Sequence, residues 1–147
     1  MTSLQLRDAH VEDAAEVARL AEELGYPAEL SQMAARLSLI LPQSRHRIVV
    51  AEGDGKLLGW IAVERRLTLE SGELIEIVGL VVGASSKRGG IGRGLVASAE
   101  QWAMAQGFDA IRVRSNIVRT ESHPFYECLG YVRRKTQHAY LKLLLTD

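Results

Sequence analysis

The sequence predicts a mixed α/β domain built on one central, mostly antiparallel sheet flanked by about four helices. Three observations carry that expectation. Short apolar or alternating runs separated by turn residues read as strands. Two helical patterns near the N-terminus precede them. A glycine-rich connector in mid-chain then joins a long apolar strand to a long helix.

Taken in order, Leu4 to Arg7 alternates and reads as a first strand. Val11, Ala14, Ala15, Val17, Ala18, Ala21 and Leu24 recur at helical spacing, with Glu12 and Asp13 in the first turn, and Gly25 and Pro27 end that helix. Leu30, Met33, Ala34, Leu37 and Ile40 share one face of a second helix, from about Glu29 to Ile40, which Pro42 closes. Arg47 to Glu52 and Leu57 to Arg66 read as strands on either side of a hairpin turn, Gly53-Asp54-Gly55-Lys56. After a turn at Gly72, Leu74 to Val82 forms a long, mostly apolar strand that belongs in the centre of the sheet. A helix from about Ile91 to Gln106 stops at Gly107. Ala110 to Arg114 reads as a strand, and Glu121 to Leu129 as a short helix ended by Gly130. Tyr131 to Thr136 and Ala139 to Leu145 are expected to pair as a closing hairpin. The expected order is β-α-α-β-β-β-α-β-α-β-β, without repeats, linkers or low-complexity tracts.

The 147 residues suit one compact domain over 1–147. Apolar residues make up 47% and charged residues 24%, an ordinary globular mix. Lysine plus arginine equals aspartate plus glutamate, at 18 each. That balance argues against a general nucleic-acid binder, which shows a basic excess. The single cysteine, Cys128, cannot form a disulfide within the chain and fits a reducing compartment. The first residues carry charge where a signal peptide has its apolar stretch, and no apolar run approaches the ~20 residues of a membrane span. A cytoplasmic protein with no membrane partner is expected.

The connector Lys87-Arg88-Gly89-Gly90-Ile91-Gly92-Arg93-Gly94 lies between a strand and a helix. Glycines let backbone approach a ligand closely, and a helix start points free N–H groups and a positive partial charge outward. With three cationic side chains beside it, the loop suits a phosphate or pyrophosphate. The bland alternative is a connector with solvated charges. A dinucleotide fingerprint starting at Gly90 fails because position 95 is Leu95. A Walker loop starting at Gly83 fails because positions 88 and 89 are Arg88 and Gly89.

The stretch Lys87 to Gly92 resembles motif A of the GNAT acyltransferases, Gln/Arg-x-x-Gly-x-Gly/Ala, with lysine in the first place. Ala84 stands where many relatives have proline. Asn116 after a strand, followed by Phe125-Tyr126-Glu127-Cys128-Leu129-Gly130-Tyr131, resembles the second signature of that family. The element order is similar over nearly the whole chain. The resemblance implies acetyl-CoA as cosubstrate, with Lys87, Arg88, Gly89, Gly90, Ile91, Gly92 and Arg93 at its pyrophosphate. Leu80, Val81 and Val82 would lie along the pantetheine arm, with Asn116 near it and Tyr126 near the sulfur. It implies direct acetyl transfer to a primary amine of a small molecule or peptide, and a possible homodimer. A non-catalytic acyl-CoA-binding regulatory domain and a nucleotide-binding module are the rival readings.

Acetyl transfer needs a neutral amine, a stabilised oxyanion and a protonated leaving thiolate. Glu76 interrupts an apolar strand and is the candidate base, placed by alternation on the face of Val78, Leu80 and Val82. The alternative for Glu76 is an exposed or salt-bridged glutamate; Glu73 is a second candidate nearer the turn. Gly79 suggests a bulge that frees a backbone N–H near Leu80 to Val82. Tyr126 is the candidate acid. His123 reads as incidental, Phe125 as core, and Cys128 as a buried, inert thiol. His10, His46 and His138 do not cluster, so no metal is expected. Glu22, Glu23 and Tyr26, between the first helices, are candidates to shape the acceptor site.

Overall fold

The computed structural model describes residues 4–86, 89–114 and 122–145. The chain forms two compact units, Met1–Arg114 and Ser115–Asp147. The first unit opens with β1 (Leu4–Asp8), a single 3-10 turn at Val11–Asp13, α1 (Ala14–Glu23) and α2 (Leu30–Ile40). It continues with β2 (His46–Gly53), β3 (Lys56–Thr68), β4 (Gly72–Val82), a second 3-10 turn at Ala84–Ser86, α3 (Ile91–Ala105) and β5 (Arg112–Val113). The second unit contains α4 (Ser122–Cys128).

The five strands lie in sequence order in one sheet, antiparallel from β1 to β4, with β5 parallel to β4. The first hairpin turns through Asp54 and Gly55, both at positive φ (53° and 78°), the primed turn that matches the strand twist. Arg7 fixes the first strand: its guanidinium donates to both oxygens of Asp13 (2.9 Å each) and to Glu52 (2.8 Å). These bonds raise the Arg7 pKa and, against the opposing effect of burial, lower that of Asp13.

Alternation assigns the two faces of the sheet. Ile48, Val50 and Val81 are buried with Val17, Leu20 and Leu37 of α1 and α2, and Trp60 and Ala62 pack against that cluster. Gly59 lies on the other face, where a Cβ would meet Leu95 and Ile91 of α3 at 3.2 and 3.3 Å. Ile61 and Val63 follow on that face at every second position, with exposures of 0% and 1%. The core is thus two apolar layers separated by the sheet.

A bulge interrupts β4. Ala62 pairs with Gly79 and Val63 with Ile77, so Val78 is an extra residue on β4. The sequence-based placement of Glu76 on the face of Leu80 and Val82 is therefore corrected. The extra residue reverses the alternation, and Glu76 shares the α1–α2 face with Gly79 and Val81.

The expected closing hairpin is also corrected: residues 131–145 contain no strand. A two-stranded ribbon is marginal without a third strand or a packing face, and Thr136 to Ala139 offers no glycine or asparagine for a tight turn. Val132, Tyr140, Leu141, Leu143, Leu144 and Leu145 remain between 73% and 96% exposed.

Candidate active site

Three features of the first unit converge on β4. The first is the start of α3. Gly90 takes the N-cap position with φ 77° and ψ 10°, a left-handed conformation that costs an L side chain energy. Among the described residues no side chain caps this end, and the first backbone bond of the helix runs from the Gly94 N–H to the Gly90 carbonyl (3.0 Å). The N–H groups of the turn before it lack intrahelical acceptors, as at every helix start, and add to the positive end of the helix dipole. Ile91 and Gly92 are buried and Arg93 is exposed. Lys87 and Arg88 lie outside the described residues.

Gly59 lets this helix start come close to the sheet. A Cβ there would fall 3.3 Å from Ile91 and 3.2 Å from Leu95 of α3, and 2.8 Å from the Val81 carbonyl oxygen of the neighbouring strand. Sequence reading placed Gly59 in a strand without assigning it a task; a glycine inside an otherwise apolar strand was the available signal.

The second feature is the edge of β4. Its pairing with β5 comprises two register positions, Glu76 with Arg112 and Ile77 with Val113. Beyond them, residues 78–82 carry no strand partner on that side among the described residues. The bulge that Gly79 suggested falls just beyond these two pairs. Gly79 also seats an indole: a Cβ would lie 2.9 Å from Trp60 Cζ3.

The third feature surrounds Glu76, which is 4% exposed. Its Oε1 accepts from Arg112 Nε at 2.6 Å, its Oε2 from Arg66 Nη1 at 3.1 Å, and Arg114 reaches both oxygens at 3.3–3.4 Å. Burial pushes the carboxyl pKa up, but Arg112, Arg114 and Arg66 outweigh it and hold the group below the ordinary glutamate value. It is ionised at neutral pH and, with both oxygens occupied, a weak base. Across the sheet the same row continues through Glu64 to His46. The three arginines were invisible to sequence reading because their convergence depends on cross-strand register. Glu73 is exposed and bonded to Arg45 (2.7 Å) and Arg65 (3.2 Å).

At the connection between α1 and α2, a depression of about 280 Å³ is lined by Glu22, Pro27, Ala28, Glu29 and Gln32. Tyr26 is 57% exposed nearby in sequence, and the Glu23 carboxylate approaches Gly83, where a Cβ would lie 3.6 Å from its Oε2.

In the second unit, Tyr126 on α4 is half-buried between two edge-on rings, Phe125 at 5.2 Å and Tyr131 at 5.7 Å. Its carbonyl accepts from the N–H groups of Leu129 and Tyr131. Cys128 is exposed, which corrects the expectation of a buried thiol: α4 is one short helix, and position 128 falls on its open side. Asn116 and the His123 side chain lie outside the described residues. Among the described residues, no three His, Cys, Asp or Glu side chains are grouped to hold a metal, and no helix is long and apolar enough to cross a membrane.

A sheet whose fourth strand bulges, and among the described residues pairs with β5 at two positions only, ahead of a glycine-started helix is the frame of a GNAT-type fold. Residues 11–131 match the model of the acetyltransferase (GNAT) family, and the chain belongs to that family. No curated protein sequence matches the chain. Among solved structures, it resembles the aminoglycoside N-acetyltransferase AAC(6')-Iy in complex with CoA: TM-score 0.86 at 18% identity, covering 97% of this chain and 96% of that one. A GNAT family acetyltransferase of Staphylococcus aureus gives 0.78 at 19%, covering 95% and 99%. Glucosamine-6-phosphate N-acetyltransferase of Arabidopsis thaliana gives 0.80 at 17%, covering 95% and 98%.

Proposed function

We propose that the protein transfers an acetyl group from acetyl-CoA directly to a primary amine of a small molecule or peptide. The observation that carries this is the stretch of β4 at residues 78–82, which on the β5 side has no strand partner among the described residues and runs on toward a helix with a left-handed start. Extended pantetheine, with its two amides, can hydrogen-bond along Leu80, Val81 and Val82 as a further strand would. The N–H groups at Gly90, Ile91 and Gly92 meet the pyrophosphate, with Lys87, Arg88, Gly89 and Arg93 completing the anion site. Asn116 is assigned to the pantetheine arm on its place in the sequence signature.

The bulge supports a backbone donor at the acetyl carbonyl, where negative charge develops in the tetrahedral intermediate. Tyr126 is assigned as the acid that protonates the departing thiolate, again on its place in the signature. The two readings of Glu76 separate here. A carboxylate clamped by three arginines gains little by taking a proton, so Glu76 is assigned to hold the arginines, and the amine loses its proton to water. The aminoglycoside and amino-sugar phosphate acceptors named for the neighbouring structures support a small-molecule amine. A cytoplasmic location and a homodimer remain part of the proposal.

The test has two parts. Acetyl-CoA at a hundredfold excess over Kd should stabilise the folded protein by about 2.7 kcal/mol, read as a rise in melting temperature that free CoA reproduces. An amine panel with thiol detection should then show turnover. Absence of a shift at millimolar acetyl-CoA refutes the assignment; a shift without turnover on any amine points to the non-catalytic acyl-CoA-binding alternative.

A further inference from the structure

We propose that the amine acceptor carries an anionic group, phosphate or carboxylate, and that Arg66, Arg112 and Arg114 bind it; this rests on the acetyltransferase reading above. Three cations here face two carboxylates, since Arg66 also pairs with Glu64 at 3.1 Å. Among the described residues these arginines have no other carboxylate partner. Their side chains are 32%, 41% and 58% exposed, so the surplus charge opens to solvent while the carboxylate that gathers them is buried. Each guanidinium has five N–H donors, and the bonds to Glu76 and Glu64 leave several free on every one. Guanidinium forks match the planar edge of a carboxylate or two oxygens of a phosphate.

The position argues for the acceptor over the cosubstrate. Val82, from which the chain runs on to the start of α3, pairs with Gly59, five residues from the Glu64 that faces Glu76, about 17 Å at strand rise. The phosphates of CoA therefore have their own site at the other end of β4. Gly79, at the bulge, pairs with Ala62, two residues from the Glu64 that faces Glu76, so it lies about 7 Å away on the same face. An amine at the bulge and an anion on the arginines fit one small molecule whose two ends lie several ångströms apart. The same array repels a polycation such as an aminoglycoside.

The test uses pairs of amines that differ only in the anion: glucosamine 6-phosphate against glucosamine, and γ-aminobutyrate against butylamine. Calorimetric titration into the CoA-saturated protein keeps the phosphate away from the glycine turn. We expect the anionic member of at least one pair to bind roughly tenfold or more tightly than its neutral partner. Which pair responds distinguishes phosphate from carboxylate. Arg114→Gln, at the most exposed of the three positions, should bring the preference close to one, and Arg114→Lys should restore part of it. In turnover the loss should fall on KM for the anionic amine, with kcat nearly kept. Equal binding within both pairs overturns the proposal, as does a preference that survives both Arg114→Gln and Arg112→Gln. Failure of acetyl-CoA to bind would instead overturn the acetyltransferase reading, because the cosubstrate is measured separately by its melting shift.

Discussion

Glu76→Gln tests the electrostatic centre of the sheet. The substitution keeps the shape of the side chain and removes its charge, leaving three guanidiniums without their common acceptor. Removing one member of a fully buried ion pair costs about 3–5 kcal/mol. Here only the carboxylate is buried, and arginines exposed by 32–58% can turn to water. The glutamine oxygen also still accepts one or two bonds. Those offsets reduce the expected loss to about 1–3 kcal/mol. For a chain of this length each kcal/mol moves the melting temperature by ~2–4 °C, so the variant should melt roughly 3–10 °C below the parent at pH 7.5. The pH dependence follows from the lowered pKa. The unfolded glutamate takes up its proton near the ordinary value of 4.5, while the folded one resists until lower pH. The stabilisation is therefore complete above about pH 5.5 and is lost as the pH falls through the folded pKa. Calorimetric melts from pH 7.5 to 3.5 should show the gap between parent and variant closing in acid. A gap that stays constant across that range, or a variant as stable as the parent at pH 7.5, would refute the account of the clamp.

Other substitutions test other parts of the site. Gly59→Ala places a methyl 2.8 Å from the Val81 carbonyl, a contact that only a backbone shift relieves; we expect a loss of about 1–3 kcal/mol in denaturant melts and weaker acetyl-CoA binding. Gly90→Ala meets no atom within 4 Å, so its cost is backbone strain alone, about 1–2 kcal/mol, whereas Gly89→Ala, with ordinary contacts and no positive φ, should be close to neutral. Equal melting of the two variants would remove the left-handed start of α3 from the argument. Tyr126→Phe should leave CoA affinity within a few-fold and lower kcat by about 10²-fold or less, since a thiolate leaves readily; unchanged kcat with chemistry rate-limiting would make Tyr126 a packing residue.

Much of this was legible in the sequence for identifiable reasons. Helical and strand periodicity located the first nine elements to within about two residues, because each buries one face against a neighbour. The glycine at the start of α3 was legible because a left-handed cap admits few other residues. Gly79 signalled the bulge but not its consequence: alternation counted through Val78 put Glu76 on the wrong face. The arginines were hidden because Arg66, Arg112 and Arg114 are 46 and 48 residues apart from first to last two and meet only through the register of β3, β4 and β5. The closing hairpin failed because apolar alternation states what a segment could pair as, and supplies no partner.

The bulge at Val78 makes β4 behave as two strands spliced out of phase. Upstream of it, the residues facing α1 and α2 sit at even positions, Leu74 and Glu76; downstream they sit at odd positions, Gly79 and Val81. The two halves can therefore vary independently, one tuned to what approaches over the helices and the other to what lies along β4 beyond its pairs with β5. A single deletion at Val78 would abolish that separation, turning Glu76 to the α3 side and away from its arginines, or Gly79 and Val81 away from Trp60.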